Sequence, residues 1–402
     1  MLIYIFAEHY PNPYKPQFDT EFAYFIRQGH EIRIFVSGQY CSTLHPRVRE
    51  YGLDKLTSCF PTTLKTLPGF LGAMVRRFFG SPLQYLKRSV AIFDSRHSLK
   101  INLLKMARML MLPLAPPDLC YIHNLATASM VDFLPHIYPA SRVFMYFHGG
   151  EVGGVNRVAR EKELFSRMRV VLTNTDFSRK QAIRRGAPDE RTVVAPVCFD
   201  MADYPDVAHK KYRESGLLHL ISIGRLSEEK GLLHSLEAIR SLVDEGVRNF
   251  VYTIVGRGMQ EQELKKYVQT HSLGDFVKFA GELDKSQVVD CLRRSDVLVL
   301  PSLVTETWAE TQAAVVQEAM LMRVLVIATE AGGVPESTAP ALRQFSVPVG
   351  DSWAIAEKIK QIMALPEVEV CLLGEEARRF AVDRYDINLN GHKYLEYVAD
   401  CL

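Results

Sequence analysis

Apolar residues in the second half of the chain come in short β-rich runs: LHLISIG (218–224), FVYTIVG (250–256), VKFAG (277–281), DVLVLPS (296–302) and VLVIATE (324–330). Helical patterns occupy the stretches between or after them, at 231–245, 259–271, 286–295 and 311–322. Strand and helix in strict alternation make a parallel sheet covered on both faces. The first half keeps the same rhythm less cleanly, with strands predicted at 2–8, 31–37, 119–124, 142–149 and 169–175. An irregular insertion, 45–119, separates its second strand from its third. The polar, proline-containing stretch 198–216 reads as a linker, and no fixed-period repeat is present. The expectation is an α/β protein of two Rossmann-like domains facing a cleft, residues 1–203 and 204–384, with 385–402 as a terminal helix packing back on the first domain. Ligands of such sheets sit at the carboxyl ends of the strands.

Composition supports two domains. The chain has 402 residues, 48% apolar and 23% charged, which is more than one ordinary core holds. A net charge of +2 argues against nucleic acid as a bulk-charge partner. Seven cysteines are scattered without a C-x-x-C pair, which reads as a reducing compartment with no zinc site. The N-terminus, MLIYIFAEHYP, reads as a first buried strand, and no stretch offers the ~20 apolar residues of a membrane span. A cytoplasmic location is expected.

Chemistry concentrates at strand ends. AETQAAVVQEAM (309–320) carries Glu310 and Glu318 eight positions apart. In one helix these acids would stand ~12 Å apart along the axis and ~80° around it, too divergent for an acid pair across one glycosidic bond. Two carboxylates gripping two ends of an elongated ligand fit, and so does a capping box from Thr307 to Glu310 with a solvated Glu318. In SIGRLSEEKG (222–231), Arg225 and Lys230 flank a loop before a helix, which suits a diphosphate; surface cations beside Glu228 and Glu229 are the other reading. IVGRGMQEQ (254–262) lacks the third glycine of a dinucleotide fingerprint, and Gly256 and Gly258 read as allowing a tight turn and close approach of a ligand.

In this order and spacing, Arg225…Lys230, Gly256, FAGEL, LPS, Glu310-x7-Glu318-Ala and GGVPE resemble retaining GT-B glycosyltransferases of family GT4. The resemblance covers most of 217–340 and touches GHEIRIF (29–35), His148-Gly149 and TNTDFSRKQAIRRGAP…VVAPVCFD (173–200). It implies transfer of a sugar from a nucleotide-diphosphate sugar to an acceptor hydroxyl, with retention and no metal or other cofactor. Arg225 and Lys230 would bind the diphosphate, and Glu310 would sit at the sugar. The N–H groups of Thr311, Gln312 and Ala313 would hold sugar hydroxyls and phosphate. Glu318 would bind the ribose, Gly256 and Leu283 would flank the base, and His148 would meet the sugar from the opposite domain. A nucleotide-sugar 2-epimerase or hydrolase, or a non-catalytic binding protein, are the alternatives. The chain departs from the family in its first loop, EHYPNPYKPQFDTEF (8–22), which lacks glycine; its Lys15 faces donor phosphate or acceptor, or is simply solvated. Thr311 replaces a common glycine and is expected to narrow the sugar pocket.

The insertion adds a charge contrast. Residues 61–117 hold nine cations (Lys65, Arg76, Arg77, Lys87, Arg88, Arg96, Lys100, Lys105, Arg108) and one acid, Asp94, a net +8. They interleave with apolar residues at helical spacing, which suits an anionic membrane surface and a lipid-linked or polysaccharide-precursor acceptor. Packing of Phe78, Phe79, Leu103 and Leu104 onto the first domain, with solvated cations, is the other reading.

Overall fold

The computed structural model describes every residue except 13–14, 40–44, 96, 140–141, 150–154, 208–209, 307 and 398–402, and leaves out the side chains of 155–159 and 215. Two parallel sheets organise it. The first has the order β3-β2-β1-β4-β5-β6-β7. Its strands are β1 (Leu2–His9), β2 (Glu31–Gly38), β3 (Thr57–Cys59), β4 (Leu119–His123), β5 (Val143–Phe147), β6 (Val170–Thr173) and β7 (Thr192–Val194). The second has the order β10-β9-β8-β11-β12-β13. Its strands are β8 (Leu218–Ile223), β9 (Phe250–Val255), β10 (Val277–Gly281), β11 (Val297–Leu300), β12 (Leu325–Thr329) and β13 (Ser346–Val347). All ten predicted strands are present. The three that the pattern missed, β3, β7 and β13, are edge strands of two or three residues, too short for any period to register.

The central strands β4, β5, β11 and β12 are buried along their whole length. Helices cover both faces, so a period-2 pattern has nothing to report there. In each sheet the order reverses beside the first strand of its domain, between β1 and β4 and between β8 and β11. Loops diverge at these switch points and open a crevice.

The stretch read as a linker is not loose. Arg47 of the first domain binds Asp203 through both guanidinium nitrogens at 2.9 Å, and Lys285 of the second binds it at 2.8 Å. Phe199 hydrogen-bonds to the backbone at Tyr385 and Ile387, so both crossings between domains run side by side. Beyond the long helix Glu367–Tyr385, the chain is not one helix over 385–402. It forms a short helix, Ile387–Asn390, and a 3-10 turn, Gly391–Tyr394; 398–402 lie outside the described residues. Ile387 and Tyr394 enter the core of the first domain, which needs a bent path rather than a straight rod.

The basic part of the insertion, 61–117, includes the helices Leu71–Gly80, Pro82–Ile92 and Leu99–Met111. Among the described residues, no helix is long and apolar enough to cross a membrane.

Candidate active site

The second domain brings Lys230 and Glu310 together. Lys230 ends a 3-10 turn, Glu228–Lys230, that follows β8, and Glu310 lies in the loop after β11. Lys230 Nζ donates to Glu310 Oε1, and Ser302 Oγ donates to the same oxygen at 3.0 Å. The ammonium also lies 5.0 Å from the ring centroid of Trp308. Glu310 is buried, so the pair stands where water screens it poorly. Arg225, paired with Lys230 in the sequence reading, points away: its side chain is 69% exposed and bonds Glu229 at 3.0 Å.

Glu310 and Glu318 do not share a helix. The helix runs Ala314–Leu321, with Ala313 as an N-cap that makes no side-chain bond. The capping-box reading fails, because the helix begins later and the carboxylate of Glu310 turns to Lys230 and Ser302; Thr307 lies outside the described residues. Glu318 accepts a hydrogen bond from the fully buried Tyr204 hydroxyl at 2.7 Å. Burial holds its pKa above the ordinary carboxylate range.

Thr311 and Gln312 face the first domain. The Gln312 amide exchanges two bonds of 2.9 Å with the backbone of Val197. Asn174 Nδ2 donates to Thr311 Oγ1 at 3.2 Å, and Thr175 Oγ1 donates to the Thr311 carbonyl at 3.1 Å. The Thr311 methyl is so near Gly149 that a Cβ there would lie 2.5 Å from it. The threonine therefore fills space at the domain seam.

The glycine turns serve backbone packing. Gly256 has φ +132°, and a Cβ on it would fall 1.9 Å from the Gly224 carbonyl oxygen. Its near neighbour is thus the turn after β8, in keeping with the tight turn expected there. Gly332 and Gly333 of GGVPE leave room for the carbonyls of Glu310 and Thr311, 2.1 and 1.9 Å from where Cβ atoms would stand. Leu283 packs half-buried against the second core.

From the first domain, His148 follows β5, and its Nε2 lies 3.1 Å from His123 Nδ1. Burial, then the Lys15 ammonium, push its pKa down to about 3, so the ring is neutral. Lys15 is not simply solvated. It stands 5.5 Å from the centroid of Phe18, whose ring is 5.7 Å from that of His148, and burial lowers its pKa.

Several residues of the site were given no role in the sequence reading, although Glu336 and Ser302 lie within the GGVPE and LPS motifs. Glu336 accepts from the backbone N–H groups of Asp176 and Phe177 at 2.7 and 2.8 Å. It thereby caps, from the second domain, the helix Asp176–Arg184 of the first. Ser302, Trp308, Tyr204 and Lys285 join only through folding. Thr175, the N-cap of that helix, is legible in TNTDFS as a helix start but not as a domain contact.

Two Rossmann-like domains with their strand ends facing a cleft define the GT-B fold. Solved structures of the same architecture include Alr3699/HepE from Anabaena in complex with UDP and glucose, with a TM-score of 0.72 and 16% identity over 100% of both chains. Sucrose-phosphate synthase from Thermosynechococcus elongatus matches with a TM-score of 0.72 and 15% identity, covering 100% of this chain and 98% of that one. Residues 207–380 match the family Glycosyl transferases group 1. The chain is 28% identical over 226 residues to the putative colanic acid biosynthesis glycosyltransferase WcaL of Salmonella typhimurium, covering 55% of each. It is 29% identical over 217 residues to the amylovoran biosynthesis glycosyltransferase AmsK of Erwinia amylovora, covering 52% of each. The chain thus spans about half the length of the curated relatives it matches.

Proposed function

We propose that the protein is a cytoplasmic, retaining, metal-independent glycosyltransferase that moves a sugar from a nucleotide-diphosphate sugar to an acceptor hydroxyl. The Lys230–Glu310 pair at the switch point of the second sheet carries this reading. An incoming diphosphate takes Lys230 from Glu310, which frees the carboxylate to accept from sugar hydroxyls. As the sugar–phosphate bond breaks, negative charge grows on the diphosphate; Lys230, and Arg225 turned inward from Glu229, stabilise it in place of a metal. Glu318 keeps one oxygen on Tyr204 and offers the other to the ribose. The solved structures of HepE hold UDP or UDP-glucose, so UDP-sugars are the first donors to assay. The relatives' names point to a bacterial surface-polysaccharide precursor as acceptor. Mass-spectrometric product analysis, with and without acceptor, tests the reading. Transfer lost in Lys230→Ala and Glu310→Gln supports it; a free sugar or an epimerised donor as the sole product overturns it.

We also propose that the insertion seats the enzyme on an anionic lipid surface, which brings the cleft to a lipid-linked acceptor. Support comes from apolar stripes left uncovered on two helices: Leu71, Val75 and Phe79 on one, Leu83, Leu86 and Val90 on the next, with Phe79 75% and Leu83 and Val90 each 74% exposed. Phe78 and Leu104 do pack inward, whereas Phe79 and Leu103 do not. The cations also divide. Lys105 pairs with Asp132 at 2.9 Å, and Arg108 and Arg88 bind backbone carbonyls. Lys65, Arg76, Lys87 and Lys100 remain exposed, Arg76 and Lys87 on the helices that carry the stripes; Arg96 lies outside the described residues. Co-sedimentation with anionic vesicles at low salt should hold the protein and weaken with salt. Retention in the supernatant at low salt refutes this part alone.

A further inference from the structure

Behind His148 lie two buried titratable side chains that the proposed transfer does not use. His123, at the end of β4, has no exposed surface and faces Nε2 of His148 through Nδ1 at 3.1 Å. The two ring planes are nearly parallel, at 13°, with centroids 5.4 Å apart, so the rings lie edge to edge along the contact. Glu21, on the helix Pro16–Arg27, is also buried, and its Oε2 lies 3.8 Å from His123 Nε2. Among the described residues, neither His123 Nε2 nor Glu21 Oε1 has a hydrogen-bond partner. Phe18 and Phe22 close over His123, with centroids at 4.4 and 5.7 Å. Of the three groups in line, His148 is half-buried and the other two are buried.

Two neutral imidazoles share such a contact with one N–H donating and one bare nitrogen accepting, so polarity passes along the line. If Glu21 carries a proton and donates it to His123 Nε2, His123 holds its own proton on Nδ1 and donates to His148 Nε2. His148 then carries its proton on Nδ1. If Glu21 gives its proton to solvent, both rings reverse and His148 presents a bare Nδ1. We propose that Glu21 and His123 are positioning residues that set the tautomer of His148, holding it as an Nδ1–H donor toward a hydroxyl oxygen of the donor sugar. This deepens the proposed function and rests on His148 facing that sugar.

The surroundings fit the neutral chain. Closing the Glu21–His123 gap to hydrogen-bond length takes a shift of ~0.8 Å. Burial raises the pKa of Glu21 to about 8, and burial lowers that of His123 well below its ordinary value. Tyr121 lies beside Glu21, with Tyr146, Tyr394 and Cys198 around it. Burial raises the pKa of each of these four, so all stay uncharged at neutral pH. Lys15 is the cation acting on both histidines, and it opposes a second positive charge there.

The test is nitrogen-15 NMR of the full chain with labelled histidine, which separates bare from protonated ring nitrogens. At pH 7 the wild type should show His148 protonated on Nδ1 and bare on Nε2. Glu21→Gln, whose amide N–H replaces the acid proton, should keep that tautomer, whereas Glu21→Leu should give a mixture and lower kcat ~10-fold. Above pH 8 the wild-type kcat should fall as Glu21 ionises, and that of Glu21→Gln should not. A wild-type His148 protonated on Nε2 at pH 7 overturns the proposal, as do coincident pH profiles of the wild type and Glu21→Gln. If no nucleotide sugar is turned over, the proposed function fails, and the tautomer at rest still decides this one.

Discussion

Lys230 and Arg225 look alike in the sequence and differ in what surrounds them. Lys230 neutralises a buried carboxylate, whereas Arg225 bonds an acid at the surface. Lys230→Ala leaves Glu310 with Ser302 as its remaining partner of those described, so it should lose ~1–3 kcal/mol of stability as well as ~100-fold or more in kcat. Arg225→Ala should lose turnover with Tm unchanged, because exposed pairs contribute little. Denaturant melts run beside steady-state kinetics check both. Glu21 gives a pH signature. Its folded pKa of about 8 lies above the ordinary glutamate value of 4.5, so the folded state holds the proton more tightly. The stabilisation is complete below about 4.5 and disappears as pH rises through about 8. His148, depressed to about 3, acts oppositely, with stability rising between about 3 and 6.5. Comparison with Glu21→Gln isolates the first effect: between pH 5 and 8 the wild type should lose stability relative to that variant, read as a difference in urea midpoint.

The helices of the insertion are amphipathic, but part of the apolar stripe on the first two is exposed among the described residues. Replacing Phe79, Leu83 and Val90 together by serine should therefore change stability by no more than ~0.5 kcal/mol per site while abolishing vesicle binding. A drop in Tm of the size seen for core residues would mean that these side chains are packed in solution. Charge reversal at Arg76 and Lys87 should weaken vesicle binding without unfolding; reversal at Arg88 should also destabilise, because Arg88 ties this segment to the carbonyls of Pro113 and Leu114. The sequence marked this region correctly as basic and helical. It could not sort the cations, since whether a lysine is exposed or tied to a partner such as Asp132 depends on which helix lies opposite.

At the scale of the molecule, the cleft is bounded by a seam in which Glu336, Thr311 and Gln312 of the second domain bind Asp176, Phe177, Asn174, Thr175 and Val197 of the first. Glu336→Ala removes two charge-assisted bonds to a helix N-terminus. It should cost ~1–3 kcal/mol and increase the radius of gyration in small-angle scattering as the domains separate. An unchanged radius with lowered stability would assign Glu336 to helix capping alone.

The sequence by itself determined the two parallel sheets, because strand–helix alternation with continuously apolar central strands has few other solutions. It also marked the strand ends that carry Lys230, Glu310 and His148, since a strand followed by glycine or a charged turn is a local feature. Tertiary structure decided what those residues do to one another. The distance from Lys230 to Glu310, the choice of Tyr204 for Glu318, the outward turn of Arg225 and the line from Glu21 through His123 to His148 all join residues tens of positions or more apart, or depend on burial. Periodicity reports only which face of an element is apolar. Contacts across a cleft depend on how two sheets and their loops are set against each other, and that is fixed only when the cores pack.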